Sequence, residues 1–95
     1  MMEQDSLWNE STDYLIVCKD WKHAEYLFNQ FCDLLDDNRN GYKVLKNRLC
    51  VVIVATTNSF RFISYEKVDE CTQGFRGEVI YAPYFETWIE NYTRY

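Results

Sequence analysis

Apolar and polar positions fall into blocks whose spacing predicts most of the elements. Asp13–Lys19 (DYLIVCK) is a short apolar run ended by charge, the length and content of a buried strand. Asp20 follows it, placed to cap a helix by accepting from the N–H groups of the first turn. Ala24, Leu27, Phe28, Phe31, Leu34 and Leu35 then recur at intervals of three and four, which makes one continuous stripe on a helix. The opposite face holds Lys22, Glu25, Asn29, Gln30, Asp33 and Asp36. The helix is expected to stop at Asp37-Asn38-Arg39-Asn40-Gly41, a run of turn-forming residues.

Tyr42–Asn47 reads as a short strand. Leu49–Thr56 (LCVVIVAT) is the most strand-like run in the chain, and Phe60–Tyr65 (FRFISY) follows after the turn residues Thr57-Asn58-Ser59. Two such runs about one turn make a β-hairpin. Glu66–Gln73 predicts a short helix, and Gly74 and Gly77 bracket a loop. Glu78–Ala82 (EVIYA) predicts another buried strand. Pro83 suits the first turn of a last helix, where its missing N–H costs nothing. That helix puts Phe85, Trp88, Ile89 and Tyr92 on one face. The order is β-α-β-β-α-β-α: a single small α/β domain over residues 13–95, with a four- or five-stranded sheet and helices packed on it. Residues 1–12 read as a flexible N-terminal arm. Trp8 is its exception, a ring suited to docking on the domain or on a partner.

Composition narrows the function. Of 95 residues, 47% are hydrophobic and 18% aromatic, enough to fold one core. Buried Tyr hydroxyls need partners, so several of the eight Tyr are expected at the surface, where such rings suit contact with another protein. The net charge of −5 repels a phosphate backbone unless the basic residues cluster, and it suits a basic partner or confers solubility. No apolar run approaches the roughly 20 residues needed to span a bilayer. The first residues are acidic and polar, unlike a signal peptide. A cytoplasmic location and no membrane partner are expected.

Catalytic constellations are missing. His23 is the single histidine and has no Ser or Cys at a recognisable spacing, so it is expected to be a solvated helix residue. Cys18, Cys32, Cys50 and Cys71 are widely spaced, with no C-x-x-C pair. Buried free thiols are expected, not zinc ligands. With three glycines the chain has little from which to build a phosphate-cradling loop. Acid pairs such as Asp36/Asp37 and Asp69/Glu70 are expected to be solvated. Neither enzyme activity nor a cofactor follows.

One family shares the layout. The apolar strand leading into Trp21-Lys22-His23-Ala24-Glu25, the strand CVVIVAT turning through Thr57-Asn58-Ser59 into FRFISY, and the loop Gly74-Phe75-Arg76-Gly77 before EVIYA together resemble the middle of a phage terminase large-subunit ATPase or a related P-loop helicase-type core. The likeness covers Asp13 to Tyr92 and rests on short patterns. The phosphate-binding loop and its lysine are absent. Where the family pattern places an Asp-Glu pair, this chain has Ala82-Pro83-Tyr84, which supplies neither a magnesium ligand nor a base. The resemblance therefore implies an inactive copy that keeps surfaces and not chemistry.

The expectation is a non-catalytic acidic protein that binds and modulates or inhibits another protein, as a phage-encoded host-takeover or anti-defence factor acting in the host cytoplasm. Its partner is expected to be a host protein such as a basic nucleic-acid-binding enzyme. The expected contacts are Glu25, Asp33, Asp36 and Asp37 on the first helix, the acidic segment Glu66, Asp69 and Glu70, and the aromatics Trp8 and Tyr84. The alternative is a module resembling an RNA-recognition motif that binds RNA or another single-stranded nucleic acid. In it NSFRFISY serves as the base-stacking strand through Phe60, Phe62 and Tyr65. Its departures are Ser59 and Arg61, the lack of an aromatic in Leu15-Ile16-Val17, and the sign of the net charge. A homodimer is also expected if LCVVIVAT lies on a sheet edge.

Overall fold

The computed structural model describes residues 12–38, 41–55 and 57–93, with the side chains of Lys46 and of residues 91–93 left aside. Its elements are β1 (Asp13–Cys18), α1 (Trp21–Asp37), β2 (Tyr42–Leu45), β3 (Cys50–Ile53), β4 (Ser59–Ser64), α2 (Val68–Thr72), β5 (Glu78–Tyr81) and α3 (Ala82–Thr93). A 3-10 turn, Lys46–Arg48, joins β2 to β3, and another, Tyr65–Lys67, leads into α2. The expected α/β architecture is present as one five-stranded mixed sheet in the order β2-β3-β4-β1-β5. β1 is parallel to both β4 and β5, whereas β2, β3 and β4 form an antiparallel meander.

The sheet has two unequal faces because side chains alternate along each strand. Tyr14, Ile16 and Cys18 of β1, Val51 of β3 and Phe60 and Phe62 of β4 meet α1 and α3 in the main core. Leu15, Val17 and Ile63 point the other way and are covered by Val68, Cys71 and Phe75 from α2 and the loop after it. All six members of the predicted α1 stripe are buried. Each of the five larger ones, Leu27, Phe28, Phe31, Leu34 and Leu35, contributes about 1.5–3 kcal/mol when taken from water, and Ala24 less. Phe31 is the hub: its ring centroid lies 4.8 Å from Phe60, 5.4 Å from Phe85, 6.0 Å from Phe62 and 6.3 Å from Trp88. Asp20 caps α1 as expected, accepting from the His23 N–H at 2.8 Å.

The hairpin forms, but β3 is shorter than the apolar run that encodes it. Leu49 adopts φ 46°, outside strand geometry, and Val54 and Ala55 leave the ladder as an exposed turn. Thr57 closes the corner at φ 59°, its N–H donating to Ile53 O at 2.8 Å, while Ile53 N–H donates to Asn58 O at 2.9 Å. Thr12 is tied to this corner, its carbonyl accepting from Ser59 N and Asn58 Nδ2, both at 3.3 Å. The rest of the expected arm, with Trp8, lies outside the described residues.

Three expectations are corrected. The run LCVVIVAT is not on an edge: β3 lies between β2 and β4, and the edges are β2 and β5. EVIYA is not a buried strand, because β5 ends the sheet and of its four residues only Ile80 packs on the core, while the buried Ala82 already belongs to α3. Phe60 and Phe62 are 0% and 1% exposed, stacked among Tyr14, Phe28, Phe31 and Phe85. Rings held there are closed to nucleobases, so the stacking strand of the nucleic-acid alternative is core. Tyr65 is exposed but lies beyond the end of β4.

Candidate partner-binding groove between the long helices

Both α1 and α3 lie on the same face of the sheet and contact one another. Leu34 and Ile89, buried at the seam, belong to the stripes that anchor the two helices. Residues flanking those stripes must then project into the cleft above the seam, since positions three and four apart share a helix face. From α1 these are Tyr26, Gln30, Asp33 and Asp37; from α3 they are Glu86 and Glu90. The result is a groove of about 480 Å³ with an apolar floor of Leu34 and Ile89 and four carboxylates along its walls. Among the described residues no Lys or Arg lines it. Gln30 Nε2 donates to Tyr26 Oη at 3.0 Å, which fixes the α1 wall.

His23 is not the free surface histidine expected from the sequence. Its Nδ1 accepts the Lys19 N–H at 3.1 Å, and Nε2 faces Glu86 Oε2 at 3.0 Å. A ring nitrogen that accepts cannot also carry a proton, so the hydrogen is on Nε2 and is donated to Glu86. The imidazole thus bridges the start of α1 to α3 and orients one wall of the groove. This use leaves no free ring nitrogen for a nucleophile.

A second crevice, about 450 Å³, opens where β1, β4 and β5 end. All three strands are parallel, and the chain leaves β1 for α1 on one face and β4 for α2 on the other. Val17, Cys18, Lys19, His23, Tyr65, Tyr81, Ala82 and Pro83 line it. Burial pushes the Cys18 thiol up to about 12, with Glu86 and Asp20 adding to the shift. Cys18 is therefore a protonated, enclosed thiol and no nucleophile at neutral pH. The other thiols, Cys32, Cys50 and Cys71, are half-buried rather than fully enclosed, and none is in a disulfide. Among the described residues no group of His, Cys, Asp and Glu is arranged to hold a metal ion.

The expected contact residues do not form one surface. Asp33 and Asp37 enter the groove. Glu25 is exposed on α1 but outside it. Asp36 turns toward β2, where its carboxylate accepts from Tyr42 Oη at 2.8 Å; that bond, with some burial, raises the Tyr42 phenol to about 12. Glu66, Asp69 and Glu70 are exposed on the short helical segment that covers the opposite face of the sheet. Tyr84 is 69% exposed on the first turn of α3, away from the groove. Glu86 and Glu90 were missed by the sequence reading. Their spacing of four, beside the Phe85/Ile89 stripe, is the signal that places them on one flank of α3.

Fold and groove together define a small α/β domain with an acidic interhelical cleft. No protein-family model, no characterised protein and no solved structure matches the chain. Among the described residues no helix is long and apolar enough to cross a membrane.

Proposed function

We propose that the chain is a non-catalytic binding protein whose α1/α3 groove receives a Lys- or Arg-rich segment of another protein, modulating or inhibiting that partner by occupying its basic surface. The carrying observation is the groove itself: four carboxylates from two helices over an apolar floor, with no basic side chain among the described lining residues. Aliphatic stems of Lys and Arg suit the floor while their charged ends meet the walls. The terminase-like layout with its catalytic positions replaced supports a viral modulator of a nucleic-acid-binding enzyme, whose basic surface has the required chemistry. The engaged His23 and the enclosed Cys18 support a role without catalysis.

Capture of partners from a bacterial lysate, with and without nuclease, tests this when the wild type is run beside Asp33→Asn/Asp37→Asn. Exposed ion pairs are worth about 0.2–1 kcal/mol each, so the double variant should bind about 2- to 30-fold more weakly. The expected result is a nuclease-resistant protein partner that the variant recovers poorly and that added salt elutes. Recovery that vanishes with nuclease, or that neither the variant nor salt reduces, would sink the proposal.

A further inference from the structure

The two sheet edges are not alike. On β2, Lys43 sits mid-strand and Arg48 lies just beyond, and charged side chains, Lys especially, are a standard guard against strand pairing. On β5 the residues are Glu78, Val79, Ile80 and Tyr81, with Val79 39% and Tyr81 53% exposed. No lysine, proline or bulge interrupts them. Their inner side pairs with β1. Among the described residues no turn or loop backbone group bonds to them from outside.

We propose that the β5 edge is a dimerisation site whose occupant is β5 of a second copy of this chain, paired antiparallel about a two-fold axis normal to the sheet. Such an axis keeps each face of the sheet continuous, so directly opposed residues must share a face. Pairing centred on Ile80 meets that condition. It sets Ile80 against Ile80 on the α1/α3 side and Val79 against Tyr81, twice, on the α2 side. Aromatic with β-branched is a favoured cross-strand combination. The same register carries Glu78 past the strand end to Ala82, the first residue of the partner's α3, where a carboxylate is favoured by the helix dipole. No like charges face each other. The corresponding two-fold pairings of β2 set the exposed Lys43 against its own copy, a like-charge pair, or against Leu45, where the ammonium gains no partner. Self-complementarity thus selects β5 and continues the sheet to ten strands across two copies.

Sedimentation velocity over a concentration series reads the association. The wild type should pass from its 11.5 kDa monomer to twice that mass. Val79→Lys, a change at an exposed edge position, should raise the dissociation constant about tenfold or more. Val44→Lys on β2 should leave it unchanged. Hydrogen exchange on the wild type gives a reading that needs no variant: protection of the Glu78–Tyr81 amides should rise with protein concentration while that of β2 does not. A monomer at every concentration, a dimer dissolved by Val44→Lys and not by Val79→Lys, or concentration-dependent protection in β2 alone would overturn the assignment.

Discussion

Gly77 is the position at which adding one methyl group should do most damage. A Cβ there would fall on the carbonyl oxygen of Asp13 and lie 2.7 Å from both the Asp13 carbonyl carbon and Phe75 Cζ. Unstrained carbon contacts settle at about 3.5–4.0 Å. The Phe75 ring can swing aside. The Asp13 backbone cannot, because β1 is laced to β4 on one side and to β5 on the other, with Asp13 opposite Ser59 and Tyr14 opposite Glu78. Gly77→Ala must therefore push the start of β5 off β1. Overpacking costs about 1–3 kcal/mol, and a ladder hydrogen bond left unmade costs about 1–3 kcal/mol more, for a loss of about 2–6 kcal/mol. A domain of 95 residues has about 5–14 kcal/mol to lose, and each kcal/mol moves Tm by about 4–8 °C. Gly74→Ala is the control: φ is +70° but nothing lies within 4 Å of its Cβ position, so only the left-handed penalty of about 1–2 kcal/mol applies. Urea titrations of the three proteins decide it. A Gly77→Ala loss under about 1 kcal/mol, or one smaller than that of Gly74→Ala, would refute the close-approach argument.

Phe31→Ala removes the hub of the ring cluster and should cost about 3–5 kcal/mol in the same titration; a loss under about 2 kcal/mol would mean that Phe60, Phe62 and Phe85 close the gap. Cys18 should be the last thiol to react with a disulfide reagent at neutral pH, its rate following unfolding, whereas half-buried Cys32, Cys50 and Cys71 react sooner. The folded-state pKa values of Cys18 and Tyr42, each raised to about 12, exceed their ordinary 9.0 and 10.0. The native state then holds protons that the unfolded chain releases, so this stability is intact below pH 9 and falls as pH rises toward 12. Urea midpoints that stay level from neutral pH to about 11 would contradict that sign.

Local signals carried most of the fold. The 3.6-residue stripe of α1 and the apolar run of β1 are set by burial on one side and on both sides respectively, so period alone locates them. Strand order was not legible. The run EVIYA looks like an interior strand because Val79 and Ile80 are apolar, yet β5 is an edge. LCVVIVAT looks longer than it is because Val54 is apolar yet sits in an exposed turn. Neither distinction has a local cause; both follow from which strand lies alongside. The site was half legible for the same reason. Asp33 and Asp37 could be placed on the polar flank of α1, but the wall that completes the groove comes from α3, more than forty residues away, and its register depends on the seam between Leu34 and Ile89. Phe60 and Phe62 mark the converse limit: alternation puts both rings on one face and does not say whether that face meets helices or a ligand.

The two proposed surfaces respond to salt in opposite directions, which keeps their tests separate. Two chains of net charge −5 repel as they approach, so pairing through β5 is helped by screening, while attraction between the groove and a basic segment is weakened by it. They also cooperate geometrically. Antiparallel edge pairing rotates one copy about an axis normal to the sheet, so both α1/α3 layers stay on the same side, and with them both acidic grooves. A partner with a single basic segment gains nothing from that arrangement. A partner with two, or a symmetric one, binds the second groove intramolecularly, and such linkage raises apparent affinity by about 10²–10⁴ when the spacing fits. Under this geometry Val79→Lys would weaken capture of a two-site partner while leaving a short basic peptide unaffected, whereas Asp33→Asn/Asp37→Asn would weaken both. The acidic segment at Glu66, Asp69 and Glu70 lies on the other side of the sheet, so no single flat surface of a partner reaches it and the groove together.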